Sequence, residues 1–308
     1  MLRGKHWHKM CDFQITGLEC TMVREAAGGG DEPTLTRVLN CLKQDGTTVT
    51  VPVCLDKLAR RSISDRFTTV DPDLRSSSKL TLAALTDLIA ELPTPPSRTA
   101  PLRFGTQPNG DRLYSDCVLP ADGSAPGPLS ERGLYLDEPY FKKELGLGVS
   151  DYPTLLHVPS SMARHACFRL LTDNWETVFG SNFVPAWLSM SYGVAGFHYC
   201  SYQEHLGSWP LCYAYGGPDT GKTTSSDVVK SLTGVQSALL AGSSITEPKL
   251  AQALSARADL CVVVDDFKPK REDERMENAA RMVAARSERS NMLRCDRPHS
   301  ALLVSVRD

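Results

Sequence analysis

Paired cysteines, long apolar runs and a strong net charge are all missing from this 308-residue sequence. The ten cysteines form no C-x-x-C pair and several lie inside apolar runs, so we expect free thiols in a reducing compartment. The first residues, MLRGKHWHKMC, contain no apolar signal core, and no run approaches the roughly 18 apolar residues of a membrane helix. We therefore expect a soluble, intracellular protein with no membrane partner.

A zinc motif and a charge bias are lacking as well. The formal net charge is -2, with 41% hydrophobic and 23% charged residues. These values are typical of a globular chain and give no global sign of nucleic-acid binding. The length suits two modest domains with separate cores. Histidines and cysteines occur in two loose groups with no zinc spacing, so we expect free side chains at His6, His8 and Cys11, and at His198, Cys200, His205 and Cys212.

The first part of the chain, residues 1–100, has the pattern of a strand-rich α+β region. Apolar residues flank Asp45-Gly46 within 37–55, and this dipeptide favours the positive φ angles of a tight hairpin. Pro52 lacks an amide hydrogen, which predicts an edge strand. Apolar residues at helical spacing predict a helix over 80–92, and four prolines within 93–101 predict a boundary.

Two further regions follow. Residues 101–160 are interpreted as a connector, with a second hairpin at Asn109-Gly110 and a loop rich in Gly, Pro and Ser at 121–128. Residues 161–308 are interpreted as the main domain. It begins with an aromatic and aliphatic segment at 166–199, which predicts a helix, a break at Pro185 and a second apolar element.

Strands and helices alternate from Trp209 onward. The predicted strands are residues 211–215, 236–240, 260–265 and 301–306, and the predicted helices are 222–232, 248–255 and 273–286. Short apolar strands separated by helices are typical of a mainly parallel sheet sandwiched between helices. The expected fold class is therefore α/β.

A phosphate-binding loop joins the first of these strands to the first helix. The segment 216–223 reads GGPDTGKT, which matches G-x-x-x-x-G-K-[ST] completely. Its glycines let backbone N–H groups turn inward, Lys222 reaches the β- and γ-phosphates, and Thr223 offers a hydroxyl to Mg²⁺. A chance match arises in roughly one random chain in a hundred of this length, and the flanking strand and helix lower that figure. The predicted nucleotide-binding residues are Gly216, Gly217, Pro218, Asp219, Thr220, Gly221, Lys222, Thr223 and Thr224.

An apolar strand that ends in two carboxylates follows the loop. The segment 260–266 reads LCVVVDD, which predicts that Asp265 holds Mg²⁺, usually through water, and that Asp266 orients or deprotonates the attacking water. A buried strand ending in an Asp-rich turn is the alternative, and the preceding phosphate loop argues against it. Most NTPases of the additional-strand class carry Glu at the second position, so the sequence predicts binding more firmly than hydrolysis.

Two other features add candidates. Ser305 lies near the end of the last predicted strand, where such enzymes carry a polar residue that senses the γ-phosphate; an ordinary strand serine is the alternative. Seven arginines within 268–297 could line a DNA channel or supply an arginine to a neighbouring subunit's γ-phosphate. A solvated helix face is the alternative, because acidic residues are interleaved. The catalytic candidates are Lys222, Asp266 and Ser305, and the metal candidates are Thr223 and Asp265.

Taken together, these segments resemble a known family. The runs WPLCYAYGGPDTGKTT, SSITEPKLAQAL and LCVVVDDF, an arginine-rich helix and RPHSALLVSVRD are similar to the helicase-like P-loop ATPases of phages and mobile elements. Members of that family often occur beside primase modules and are related to superfamily-three and RecA-like motors. The resemblance covers residues 209–308, and its specific parts are the Walker A loop and the Walker B strand.

The resemblance implies an ATPase that uses ATP and Mg²⁺ and acts on nucleic acid, for example in DNA replication, as a homo-oligomer in its full-length form. Related motors continue with another strand and with arginine-bearing elements, so we expect the chain ending at Asp308 to be a fragment. Two other functions stay open from the residues alone. One is a nucleotide-binding regulatory or scaffold module with slow turnover. The other is a small-molecule kinase, although no lid or acceptor site is evident.

Overall fold

The structure, a computed structural model, describes residues 11–24, 34–55, 63–76, 80–144, 146–155, 161–206, 209–235, 240–241, 246–267 and 302–306. The chain divides into two compact units, one comprising Met1–Pro101 with Gly133–Asp137 and the other Leu102–Arg132 with Glu138–Asp308. Within the described residues, no helix has both the length and the apolar character that a membrane crossing requires.

The first unit is built on a four-stranded sheet. Its strands are β1 (Phe13–Arg24), β2 (Thr34–Lys43), β3 (Thr48–Val53) and β4 (Ser97–Thr99), and its helices are α1 (Ile63–Val70) and α2 (Leu82–Glu91). The strand order is β3-β2-β1-β4. The first three strands pair antiparallel, whereas β4 joins β1 in parallel.

The short-range predictions for this unit are confirmed. Strands β2 and β3 form the hairpin around Asp45-Gly46, in which Gly46 has a φ of 85° and Asp45 Oδ1 accepts a hydrogen bond from Thr47 N at 2.9 Å. Pro52 lies on the edge strand β3, where its missing N–H costs no ladder hydrogen bond. Helix α2 begins after Thr81, whose hydroxyl accepts from Ala84 N at 3.2 Å as an N-cap.

The core of the first unit lies between its sheet and its two helices. Phe67 of α1 and Leu85 of α2 are fully buried against apolar strand residues such as Leu39 and Val51. Phe67 also packs on Phe13 with ring centroids 4.9 Å apart. This cluster is large enough to give the unit a core of its own.

The second unit contains the remaining elements. Its strands are β5 (Phe104–Thr106), β6 (Arg112–Leu113), β7 (Val118–Leu119), β8 (Cys212–Ala214), β9 (Leu240–Ala241), β10 (Arg257–Ala258), β11 (Val262–Phe267) and β12 (Leu302–Val306). Its helices are α3 (Glu138–Glu144), α4 (Ser161–Phe179), α5 (Phe183–Ala195), α6 (Tyr199–Leu206), α7 (Lys222–Leu232) and α8 (Glu247–Ser255).

Two four-stranded sheets organise these elements. The smaller sheet has the order β10-β5-β6-β7, and its β5–β6 hairpin turns at Asn109-Gly110 as predicted. The larger sheet has the order β8-β12-β11-β9, and each of its pairs is parallel. Val262, Val263 and Val264 are consecutive and all buried. Because successive strand residues point to opposite faces, the larger sheet is covered on both faces at β11.

Most predicted bounds in the second unit agree with the structure within about two residues, the usual uncertainty of element ends. Helix α7 spans the predicted residues 222–232 and helix α8 begins one residue before the predicted range. The predicted strand 236–240 is described only at Leu240, where β9 begins. The predicted helix 273–286 lies outside the described residues.

The predicted break at Pro185 was wrong. Helix α4 ends at Phe179, a short 3-10 turn spans Gly180–Asn182, and α5 begins at Phe183. Gly180 has a φ of 51°, which permits the change of direction. Pro185 lies in the first turn of α5, where backbone N–H groups have no helical partner, so the proline is accommodated.

Tyr192 anchors α5 to the larger sheet. Its hydroxyl donates towards the carbonyl oxygens of Pro210 and Leu302, both at 2.9 Å, and accepts from Trp209 Nε1 at 2.7 Å. Leu302 begins β12 and Pro210 precedes β8. One side chain therefore links the helix to the entry points of two neighbouring strands.

Candidate functional site

The candidate site lies at one edge of the larger sheet. Because its strands are parallel, their carboxyl ends meet at that edge. The register pairs Ser305 of β12 with Ala214 of β8, and Asp265 of β11 with Ala241 of β9. The loop that follows β8 and the carboxylate strand β11 therefore reach the same edge, with β12 between them.

The loop after β8 has the backbone that its glycines predict. Gly221 adopts a φ of 82° and is the N-cap of α7, where Ser225 N donates to its carbonyl oxygen at 2.9 Å. Asp219 also has a positive φ, of 60°. Thr220 Oγ1 donates to the Gly217 carbonyl at 2.9 Å and closes the loop on itself. The loop is thus a compact turn at the N-terminus of a helix, where the helix dipole favours an anion.

Lys222 extends its ammonium group back across this loop. Its Nζ donates to the carbonyl oxygen of Gly216, to that of Gly217 at 2.6 Å and to Thr220 Oγ1 at 3.3 Å. A single positive charge is therefore held within the turn by neutral acceptors. A phosphate group that approaches the loop would meet this charge and the N-terminus of α7 together.

Thr223 and Asp265 meet across the sheet edge. Thr223 Oγ1 donates to Asp265 Oδ1 at 3.4 Å, although the two residues are 42 positions apart in the sequence. Mg²⁺ takes octahedral oxygen ligands at about 2.0–2.1 Å, so neighbouring ligand oxygens stand roughly 3 Å apart. The hydroxyl and the carboxylate are close to that separation, and they fit a shared Mg²⁺ held directly or through water.

This pair also matches the way Mg²⁺ is usually bound beside phosphates. Among the described residues, no three His, Cys, Asp or Glu side chains are grouped as for a protein-only metal cage. Mg²⁺ commonly takes one or two protein oxygens and completes its shell with water and substrate phosphates. A site with one carboxylate and one hydroxyl suits a magnesium–nucleotide complex better than a metal bound by protein alone.

The other predicted loop residues differ in how they are placed. Pro218, Asp219 and Thr224 are exposed, whereas Gly216 and Gly217 contribute the carbonyls that face Lys222. Thr224 lies in the first turn of α7, next to Thr223. The octapeptide therefore offers both a backbone turn and side chains that a ligand can reach.

The remaining candidates are placed by backbone alone. Asp266 follows Asp265 in β11, and Ser305 lies in β12 between β8 and β11. The side chains of Asp266 and Ser305 lie outside the described part of the chain. The arginine-rich segment 268–297 is likewise outside the described residues.

The cysteine thiols in the sheet beneath the site are uncharged. Burial raises the pKa of the Cys212 thiol in β8, and burial together with the neighbouring Cys212 raises that of Cys261 before β11. Both thiols are therefore protonated at neutral pH. Charge at the site comes from side chains such as Lys222 and Asp265 and from the helix N-terminus.

Two close contacts near the loop were missed by the sequence reasoning. A Cβ atom on Gly221 would stand 2.9 Å from Cδ1 and Cε1 of Phe179, and one on Gly193 would stand 2.6 Å from Val229 Cγ1. The aromatic content of 166–199 signalled a packed segment, but nothing in the sequence linked one ring to the loop.

The chain matches no protein-family model, and a search of curated proteins returns no match.

Proposed function

We propose that this chain binds ATP with Mg²⁺ and hydrolyses it, as the core of a helicase-like P-loop ATPase that acts on nucleic acid in its full context. The observation that carries the proposal is the 3.4 Å contact between Thr223 and Asp265. A phosphate loop and a strand-end carboxylate that meet in this way form the two halves of a magnesium–nucleotide site. A chance occurrence of the octapeptide has no reason to produce that contact.

The topology of the larger sheet supports the same proposal. Strand β12 lies between β8, which leads into the phosphate loop, and β11, which carries the two carboxylates near its end. An inserted strand at this position characterises the additional-strand class of P-loop NTPases, to which RecA-like motors belong. The four parallel strands with a buried β11 also agree with the α/β fold expected for that class.

In the proposed mechanism, each residue of the site has a separate role that follows from its position. The backbone of 216–221 and the Lys222 ammonium bind the β- and γ-phosphates, and this charge offsets the negative charge that develops during phosphoryl transfer. Thr223 and Asp265 would hold Mg²⁺, which would supply positive charge to neutralise phosphate oxygens. Asp266 orients the attacking water or accepts its proton, and Ser305 contacts the γ-phosphate.

The proposed action on nucleic acid rests on different grounds. The resemblance of residues 209–308 to helicase-like motors supports it, as do the seven arginines within 268–297. Homo-oligomer formation is proposed on the same resemblance. Both parts of the proposal are separable from nucleotide binding by experiment.

The direct test measures Mg²⁺–ATP binding by calorimetry in the wild-type chain, in Lys222→Ala and in Lys230→Ala. Lys230 is on the same helix but pairs with Asp227 at 3.2 Å, so it is a matched control. We expect Lys222→Ala to weaken binding by about 10- to 100-fold, the range for a lost charge-assisted contact, and Lys230→Ala to bind as the wild type does. Equal affinity in all three proteins would refute the proposal that Lys222 and its loop bind the nucleotide.

Turnover is tested next, with and without single-stranded DNA. ATP hydrolysis that DNA stimulates and Lys222→Ala abolishes is the result expected for a motor core. Tight ATP binding without DNA-dependent turnover would refute the motor and indicate the nucleotide-switch function instead. Transfer of phosphate to an added small molecule would indicate the kinase.

A further inference from the structure

The corner between α4 and α5 lies directly against the phosphate loop. Phe179 is the last residue of α4, and its ring edge is so close to Gly221 that a Cβ atom there would stand 2.9 Å from both Cδ1 and Cε1. Real Cβ atoms do not approach side-chain carbons so closely. Gly221 therefore accommodates two constraints, its left-handed φ of 82° and the aromatic ring beside it.

The ring of Phe179 is itself firmly held. It is 8% exposed and packs on Trp175 with ring centroids 4.7 Å apart. Ala186 and Met190 of α5 complete the buried cluster, and Val228 and Leu232 of α7 pack against it. The cluster thus joins helix α4, helix α5 and the helix that follows the loop, so the ring has little freedom to move.

We propose that Phe179 is a positioning residue that holds the phosphate loop in its ligand-binding conformation. This inference rests on the proposed nucleotide-binding function. Gly221 has no side chain with which to anchor itself, and it immediately precedes Lys222. The ring supplies a fixed wall at that residue, which lowers the conformational freedom that the loop would lose when phosphate binds.

A wall of this kind has a defined kinetic signature. The proposed role of the ring is to order the loop before nucleotide arrives, so its loss adds an ordering cost to the binding step rather than to the chemical step. Loss of the ring should therefore weaken nucleotide binding and raise KM while leaving kcat nearly unchanged. A residue that acted in the chemical step would lower kcat instead.

The test compares Phe179→Ala and Phe179→Leu with the control Phe183→Ala. Phe183 belongs to the same cluster and its ring stacks on Trp187 at 6.0 Å, whereas both side-chain atoms nearest a Cβ on Gly221 belong to Phe179. Four quantities are measured: the melting temperature, the Kd for Mg²⁺–ATP, the kcat for ATP hydrolysis, and hydrogen exchange of the peptide containing 216–223 without nucleotide.

We expect Phe179→Ala to weaken ATP binding by about tenfold, comparable to freeing one backbone residue, and to speed hydrogen exchange in the loop peptide. Phe179→Leu should lie between Phe179→Ala and the wild type, because leucine restores part of the wall. Phe183→Ala should lower the melting temperature through lost packing but leave loop exchange near the wild-type rate.

Equal loop exchange in Phe179→Ala and Phe183→Ala would overturn the positioning role, because the ring would then contribute only to general packing. A fall in kcat at unchanged Kd would overturn it too. If the wild type binds no ATP while loop exchange still separates the two alanine variants, the proposed function fails and the positioning of the loop is supported.

Discussion

Gly193 of α5 and Val229 of α7 are in such close contact that the glycine has no room for a side chain. A Cβ atom on Gly193 would stand 2.6 Å from Val229 Cγ1 and 3.1 Å from Cγ2. Both residues are buried. Helix α7 begins at Lys222, so this contact sets the distance between α5 and the helix that carries the candidate site.

Gly193→Ala should destabilise the protein by about 1–3 kcal/mol, the usual cost of inserting a methyl group into a packed core. Urea unfolding measures the change. Val229→Ala removes the two methyl groups in the way, so the double variant should be more stable than the sum of the single effects predicts. Additive effects of the two substitutions would contradict the contact.

Asp265→Asn tests the magnesium half of the site. The substitution keeps the shape of the side chain but removes its charge. The factor by which Mg²⁺ increases ATP affinity should therefore be at least about tenfold smaller in Asp265→Asn than in the wild type. Calorimetry with Mg²⁺ and with EDTA measures the difference. Asp227→Asn is the control, because Asp227 pairs with Lys230 on the outer part of α7. An unchanged Mg²⁺ effect in Asp265→Asn would exclude this carboxylate as a metal ligand.

Gly105 and Gly123 form a matched pair for testing the junction of β5 and β10. Both have a left-handed φ, of 83° and 75°, but a Cβ atom on Gly105 would stand 1.7 Å from the Ala258 carbonyl oxygen, whereas one on Gly123 meets nothing within 4 Å. Gly123→Ala should cost about 1–2 kcal/mol for its backbone alone. Gly105→Ala should cost at least about 2 kcal/mol more, because β5 must separate from β10. Chemical denaturation of both variants tests this, and similar losses would count against the pairing.

Buried thiols in the first unit predict a loss of stability at alkaline pH. Burial raises the pKa of Cys41 from 9.0 to about 12 and that of Cys20 to about 11. Between pH 9 and these values the unfolded chain releases thiol protons that the folded chain keeps, so the free energy of unfolding falls as pH rises. The effect is at most about 1.4 kcal/mol per pH unit for each thiol. Denaturant unfolding at pH 7.5, 9 and 10 should show a smaller fall in the free energy of unfolding for Cys41→Ala than for the wild type. Equal falls would contradict a raised pKa at Cys41.

The local elements of this protein were largely predictable, because short-range chemistry determines them. Asp45-Gly46 and Asn109-Gly110 both form hairpin turns, where left-handed φ values are required. The apolar spacing within 222–232 predicted helix α7 to the residue. The break at Pro185 was mispredicted, because a proline is equally compatible with the first turn of a helix and with its end.

The phosphate-loop octapeptide and the carboxylate pair were read from the sequence alone, since their backbone and charge requirements are local. Only the tertiary structure decided that β12 lies between β8 and β11, that Thr223 meets Asp265, and that the ring of Phe179 stands against Gly221. These relationships join segments tens of residues apart, and strand order and packing distance depend on how whole faces fit together. Such fitting leaves no local pattern in the sequence, which is why the residues of the site were predictable and their arrangement was not.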